Sequence, residues 1–227
     1  MDTIIYFTLA IAFLILFSWG VILANRQGWW RLENVILLVM LALIYDNGIL
    51  GLGKFIGEGE LLESLNLARY WLHALITPLL VLFGWRSLVN ADIDWAKTKV
   101  VKWGAFLLTL GLIIYDLVAE VWGISLSPAI NNGVLSYKVV SEGESLPIMI
   151  IGVSAILFIT SLIVWIKQKW PWYFFGILFM SITPMIGSWI DSDAFHNIGE
   201  FALLLSLLAT KNFQYHTNKK TTRTRTL

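Results

Sequence analysis

Hydrophobic residues along the chain fall into seven long runs that short polar connections separate. Each run is close to the roughly 20 residues that a helix, rising about 1.5 Å per residue, needs to cross about 30 Å of hydrocarbon. The pattern therefore predicts an all-α integral membrane protein, a bundle of seven transmembrane helices. The predicted segments are Thr3–Leu23, Val35–Leu52, Leu67–Trp85, Val100–Trp122, Pro147–Ile166, Trp172–Ser188 and Ala194–Thr210.

The charges at the two ends of these helices set an expected orientation. When the segments are threaded alternately across a membrane, only Lys54, Arg69 and Lys138 of the 16 basic residues lie on one side, and the other 13 lie on the opposite side. Basic residues accumulate on the cytoplasmic side of membrane proteins. We therefore expect a multi-pass protein of the cell membrane, with the N-terminus outside and the C-terminus in the cytoplasm.

Composition narrows the class of protein further. Apolar residues make up 58% of the 227 residues and charged residues only 14%, compared with about 25% in a soluble domain. We expect one seven-helix domain over residues 1–210 and a basic cytoplasmic tail over 211–227, disordered along the anionic inner leaflet. The net charge of +1 predicts no nucleic-acid partner, and the absence of cysteine excludes disulfides, thiolate nucleophiles and cysteine-bound metals.

Two of the predicted outer connections carry signals for local structure. Gly48–Ser64 contains five glycines, and each glycine costs a helix about 1 kcal/mol relative to alanine. We therefore expect the second helix to break near Gly48. In the loop Gly123–Leu146, an Asn-Asn-Gly turn at 131–133 precedes Val134–Val140 and predicts a short β-hairpin, either a lid over the outer face or a plain connection.

Four ionisable residues share one depth in the predicted bundle. Each lies six or seven residues from the outer end of its segment, roughly 9–10 Å below the membrane boundary. A charged group near the bilayer centre costs at least about 2.5–3.5 kcal/mol, so these side chains should face the inside of the bundle. We expect a polar cavity that opens toward the outer leaflet; the alternative is an ion-pair network that only holds the helices together. The four residues are Asp46, His73, Asp116 and Glu200.

Other polar residues are expected around this layer. Arg69, Glu120 and His196 each lie four residues from one of its members, a spacing that places both side chains on one helical face. The predicted catalytic residues, as general acid or base or as proton shuttles, are Asp46, Asp116, Glu200, His73 and His196. The predicted substrate-binding residues are Arg69, Asn66, Glu60, Glu120 and Asn197.

Three kinds of chemistry are open to such a cavity. A carboxyl group could transfer a proton to a lipid or isoprenoid. A divalent metal such as zinc or iron could bind instead, because two histidines and two carboxylates are suitable ligands. Arg69 and Lys54, with glycine amides, could also bind the phosphate of a lipid headgroup. The candidate metal ligands are His73, His196, Asp116 and Glu200.

The leading functional interpretation is an enzyme that acts on a lipid or isoprenoid entering from the outer leaflet, with membrane lipids as its partners. A small proton-coupled transporter would use the same carboxylates, but it needs a polar path to the cytoplasm. The cytoplasmic halves of the segments are almost wholly apolar. A structural or signalling membrane protein is the third interpretation, and it predicts that Asp46→Asn and Glu200→Gln preserve function.

Overall fold

The computed structural model describes residues 2–140 and 147–225, with side chains described as far as residue 219. This part of the chain forms eight α-helices and one two-stranded β-hairpin. The helices are α1 (Asp2–Gln27), α2 (Val35–Ile56), α3 (Glu60–Ile76), α4 (Leu80–Asn90), α5 (Lys99–Asp116), α6 (Ile148–Gln168), α7 (Trp172–Ile190) and α8 (Ala194–Arg225), and the strands are β1 (Leu126–Asn131) and β2 (Val134–Val139). A 3-10 turn containing Pro78 joins α3 to α4, and a π turn over Leu117–Val121 extends α5.

Six helical stretches are long and apolar enough to cross a membrane, which indicates a multi-pass membrane protein, as the hydrophobic pattern predicts. The predicted seventh segment begins α8, where His196, Asn197 and Glu200 lower the apolar content, and α8 is not among the six. The six stretches are Asp2–Gln27, Leu32–Ile56, Glu60–Asn90, Lys99–Val121, Ile148–Gln168 and Trp172–Ile190.

The connections between the helices gather at two opposite ends of the bundle. At one end, the hydroxyl of Thr3 donates a hydrogen bond to the carbonyl of Gly133, 3.1 Å away, and so ties α1 to the hairpin. At the other, the side-chain amide of Gln214 donates to the carbonyl of Ser87, at 2.9 Å, and ties α8 to α4. We call the first the hairpin end, and the second the basic end after its residues Arg31, Arg86 and Lys211.

Large apolar side chains fill the centre of the bundle between these two ends. Phe13, Met40, Phe83, Leu157 and Leu207 are almost completely buried, although each comes from a different helix. Many apolar side chains on the outer faces of α1 and α5 remain exposed, as expected where helices face lipid tails that are as apolar as leucine. The apolar centre therefore separates the polar groups of the hairpin end from those of the basic end.

The glycines of α2 do not break the helix, so the predicted break near Gly48 is wrong. The helix continues to Ile56 and ends where Gly57 and Gly59 adopt positive φ angles of 83° and 150°. A Cβ atom on Gly53 would lie 1.8 Å from the carbonyl oxygen of Leu135 in β2. Gly53 is therefore needed because the hairpin backbone lies directly against α2, and this close approach accounts for the residue without any break in the helix.

The predicted hairpin is confirmed. β1 pairs antiparallel with β2, and the two residues of the turn, Asn132 and Gly133, both have positive φ angles, 52° and 80°. Two such residues are typical of the type I′ turn that matches the twist of a tight hairpin. Val134, Leu135, Ser136 and Tyr137 of β2 are buried, because this strand packs onto the end of the helical bundle.

The C-terminal segment is helical where disorder was predicted. α8 continues without interruption past residue 210 to Arg225, so the expected disorder is wrong for residues 211–225. Lys211 and Gln214 are buried, and the ring of Phe213 stacks on Trp170 with 4.2 Å between the ring centres. Packing against α4, α6 and the loop after α6 therefore keeps the first turns of this segment ordered.

Candidate functional site

A cavity of about 380 Å³ lies beneath the hairpin and is surrounded by helices of the bundle. The residues that face the cavity are mostly polar near the hairpin and mostly apolar toward the centre of the bundle, and the change is clearest along α8. We call these two parts the polar zone and the apolar zone. The polar zone includes Asp46, Arg69, His73, His196, Asn197 and Glu200, and the apolar zone includes Val39, Leu43, Leu80, Leu157, Leu203 and Leu204.

An ion pair crosses the polar zone from α2 to α3. Arg69 Nε donates to Asp46 Oδ1 at 2.7 Å, and Arg69 Nη1 donates to the side-chain oxygen of Asn66, also at 2.7 Å. The second oxygen of Asp46 accepts a hydrogen bond from Asn197 of α8 at 3.3 Å. Three helices are thereby joined, and the charges of Asp46 and Arg69 are matched by each other.

Glu200 has a different environment in the same zone. Its carboxylate lies 3.6 Å from Nε2 of His196, one turn earlier in α8, and accepts no hydrogen bond from any residue that the structure describes. The Glu200 side chain is 16% exposed, whereas that of His196 is 41% exposed. Leu203 and Leu204, on the next turn, already belong to the apolar zone. Glu200 therefore lies at the boundary between the two zones, beside a histidine that reaches toward the surface.

His73 lies on the opposite wall, on α3. Its Nδ1 atom is 3.3 Å from the hydroxyl of Thr77, and either atom can be the donor because the histidine tautomer decides the direction. His73, Arg69 and Tyr70 all face the cavity, because α3 presents one continuous polar face there. His73 therefore belongs to the polar lining of the cavity.

The hairpin covers the polar zone and is fixed to the bundle by polar contacts. Lys138 of β2 forms an ion pair with Asp193, 3.0 Å away, and Asn131 donates to the same carboxylate at 3.3 Å. The hydrogen bond from Lys138 is the main reason that the pKa of Asp193 is lowered. Nearby, the carboxylate of Asp2 accepts from the backbone N–H of Ala194, the first residue of α8. The hairpin thus has the position of the lid that the sequence analysis considered.

The structure brings together some of the predicted site residues and not others. Asp46, His73, His196, Glu200, Arg69 and Asn197 line the cavity, and Asn66 supports it by binding Arg69. The expected convergence does not extend to Asp116, which is buried near the end of α5 and does not line the cavity. Glu120 follows it on the π turn, and Glu60 is exposed at the start of α3, so neither lines the cavity.

The candidate metal ligands do not form a site. Asp116 lies outside the cavity, and no group of three or more His, Asp or Glu side chains among the described residues is arranged to hold a metal ion. The remaining donors, His73, His196 and Glu200, approach the cavity from two helices. Their arrangement does not fit the four-ligand set that the sequence analysis considered.

Sequence reasoning missed several residues of the site. Asp2, Tyr6, Tyr137 and Asp193 also line the cavity at the hairpin end. Asp2, Tyr6 and Tyr137 are distant in sequence from the layer of four, whereas Asp193 lies seven residues before Glu200. The sequence does not specify where the N-terminus and the hairpin pack. Such contacts depend on how the loops fold back over the bundle.

A second buried polar cluster lies at the basic end, where the sequence analysis expected little. Glu33 is only 1% exposed, and its Oε1 accepts hydrogen bonds from Asn90 at 2.6 Å and Arg31 at 3.1 Å. Arg86 completes this group with an ion pair of 3.5 Å. On α2, the fully buried Met40 lies between Glu33 and the cavity residue Asp46. The two polar clusters are therefore separated by the apolar centre.

The fold and the cavity define the class of protein: a multi-pass helical membrane protein with an amphipathic cavity that a β-hairpin covers. No protein-family model matches this chain, and no curated protein matches it. The function therefore has to be inferred from the residues of the cavity.

Proposed function

We propose that the protein is a membrane enzyme that transfers protons to or from a lipid or isoprenoid bound in the cavity, with Glu200 as the reacting group. The observation that carries the proposal is the position of Glu200, which has no hydrogen-bond donor among the described residues and lies where the polar zone meets the apolar zone. A carboxyl group with no other partner can give a proton to a bound molecule and take one back. His196 links it to the surface and serves as the proton relay.

The two zones favour an amphiphilic substrate. The headgroup would lie among the polar side chains beneath the hairpin, and the first carbons of the chain would enter the space beside Leu157, Leu203 and Leu204. A volume of about 380 Å³ is within the usual range for ligand pockets. A headgroup with a short part of a lipid chain fits this space.

We further propose that residues 194–210 of α8 form a seventh transmembrane span, in a cell membrane, with the hairpin end outside. The burial of Leu203, Leu204, Leu207 and Leu208 supports this proposal, because it places this part of α8 inside the bundle. The accumulation of basic residues at the basic end supports the orientation. The substrate would then enter from the outer leaflet.

Comparative mass spectrometry of membrane lipids tests the proposed activity. Lipids are extracted from four membrane preparations and compared. The preparations contain the wild type, Glu200→Gln, Glu60→Gln or no copy of the protein. Glu60 is the matched control, because it is an exposed glutamate outside the cavity. We expect a lipid species to change with the wild type and with Glu60→Gln, but not with Glu200→Gln.

The proposal fails if Glu200→Gln, folded and inserted, changes the same lipid species as the wild type. It also fails if the wild type changes no lipid at all. The second result would favour a transporter, or a structural or signalling protein.

A proton-coupled transporter is the second candidate function, and the buried cluster around Glu33 is the observation that favours it. Two polar clusters at opposite ends of a bundle resemble the two sides of an alternating-access path. The apolar centre between them, including Met40 and Leu207, argues against a continuous path in this conformation. Proton uptake by liposomes that contain the protein and a trapped pH dye distinguishes the two functions.

A further inference from the structure

The basic end holds three cations around one buried carboxylate, and one of the cations, Lys211, is itself buried. Arg31, Arg86 and Lys211 surround the single carboxylate of Glu33, which leaves a formal charge of +2 in this cluster. Lys211 lies close enough to Glu33 and Arg31 to interact with both electrostatically. A charge removed from water is costly unless it is paired and hydrogen-bonded. The cluster therefore lacks negative charge.

Several donors in the cluster have no acceptor. Lys211 is only 2% exposed, and its Nζ has no hydrogen-bond partner in the described part of the chain. The buried Nε atoms of Arg31 and Arg86 are also unpaired there, and so are three acceptors, Oε2 of Glu33, Oε1 of Gln27 and Oδ1 of Asn34. Only one of these acceptors carries a negative charge, whereas the three unpaired donors all belong to cations. A group with several negatively charged oxygens would satisfy them together.

The two arginines of the cluster are accessible from the membrane surface. The side chains of Arg31 and Arg86 are 31% and 28% exposed, so both reach from the buried cluster to the outside of the bundle. Trp29, Trp30 and Trp95 are exposed at the same end, and tryptophan rings prefer the depth of the lipid headgroups. Basic pockets between transmembrane helices at this depth bind the phosphates of lipid headgroups.

We infer that Arg31, Arg86 and Lys211 form a binding site for a phosphate group, supplied by an anionic phospholipid of the adjacent leaflet. The phosphate oxygens accept hydrogen bonds from the three cations, while Glu33 keeps the two arginines in place. This site lies at the opposite end of the bundle from the proposed active site, and it does not depend on that proposal. The lipid would act as a structural ligand that joins α8 to the loop between α1 and α2 and to α4.

Lipid binding to the purified full-length protein in detergent tests the inference by native mass spectrometry. Phosphatidic acid is compared with diacylglycerol of the same acyl chains, since the two differ only by the phosphate. We expect the wild type to bind phosphatidic acid at least about tenfold more tightly than diacylglycerol. We expect Lys211→Met to lose that preference, and Lys219→Met, an exposed lysine on the same helix, to keep it.

Lys211→Met removes an unpaired buried charge and should fold at least as well as the wild type. If it does not fold, Arg86→Gln provides the same comparison. A separate titration with inorganic phosphate shows whether the phosphate group must belong to a lipid. If inorganic phosphate stabilises the wild type but not Lys211→Met, the site also accepts free phosphate. Equal binding of the two lipids by the wild type, or an unchanged preference in Lys211→Met, would overturn the inference.

Discussion

At the scale of single residues, Arg69 and Glu200 show two different uses of charge in one cavity. Arg69 donates to Asp46 and Asn66, each 2.7 Å away, and its charge is already matched by the carboxylate of Asp46. Glu200 has only His196 beside it, at 3.6 Å, and accepts no hydrogen bond from the described residues. The ion pair favours a positioning role for Arg69, whereas Glu200 is the group on which the proposed function depends.

The ion pair between Asp46 and Arg69 should contribute to stability as a coupled unit. We expect Asp46→Asn and Arg69→Gln each to lower the free energy of unfolding by about 1.5–3 kcal/mol, because each leaves a charged partner without its counterion. The double variant should cost clearly less than the sum of the two. Unfolding of the purified protein in mixed detergent and denaturant micelles measures all three values.

Tyr115→Phe is the control variant, and its free energy of unfolding is measured in the same way. It lies on α5, outside the cavity lining, and removes only a hydroxyl. Additive effects of the two charge variants would contradict the ion pair, since independent sites add and coupled sites do not.

At the scale of the elements, the position of the hairpin depends on α2. The hairpin packs over the cavity because Gly53 lets the carbonyl oxygen of Leu135 approach the helix backbone. The hydroxyl of Tyr137 accepts a hydrogen bond from the N–H of Gly59 at 3.0 Å, just beyond the end of α2. The glycine-rich stretch therefore shapes the surface on which the hairpin packs.

Alanine at two glycines of the same helix should have opposite effects. Gly53→Ala places a methyl group against backbone in β2, so we expect a loss of about 1–3 kcal/mol or more in the free energy of unfolding. Gly48→Ala meets no atom within 4 Å, so we expect a gain of roughly 0.5–1 kcal/mol from helix propensity. Thermal unfolding of the two variants in one detergent provides the comparison. Equal effects would show that the hairpin does not lie against Gly53.

At the scale of the whole molecule, two polar ends enclose an apolar centre. The hairpin end contains a covered amphipathic cavity, and the basic end contains a compact cluster of buried charges. This arrangement favours the two proposals made above, substrate chemistry at the hairpin end and lipid binding at the basic end. It requires α8 to cross the membrane.

Cysteine labelling tests the proposed topology, and the chain has no native cysteine to interfere. Ser127→Cys lies on the exposed side of the hairpin, and His216→Cys lies on the exposed side of α8 beyond the basic end. In intact cells, we expect a membrane-impermeant maleimide to label Ser127→Cys but not His216→Cys. After permeabilisation, we expect it to label His216→Cys as well. Labelling of both from outside would mean that α8 does not form a seventh span.

The sequence was sufficient to predict the six apolar stretches and the hairpin. Hydrophobic run length and helical spacing are local properties, so these stretches and the neighbours His196 and Glu200 could be predicted, whereas the single predicted segment Leu67–Trp85 is divided between α3 and α4 by the turn at Pro78. Asp116 shares the depth of Asp46, yet depth does not determine the direction in which a side chain faces. The helical tail and the need for glycine at Gly53 both depend on contacts between distant segments. Spacing along the chain cannot show such contacts.

The most direct test of the central claim is a rate measurement on the purified protein. The wild type, Glu200→Gln and Glu60→Gln are each reconstituted in nanodiscs with lipids from cells that lack the protein, and conversion of the changed species is followed over time. Because a positioned proton donor typically contributes 10²–10⁴-fold, we predict that Glu200→Gln lowers the rate by at least about 10²-fold, with Glu60→Gln close to the wild type. Conversion by Glu200→Gln at the wild-type rate would contradict the assignment of Glu200 as the proton-transferring group.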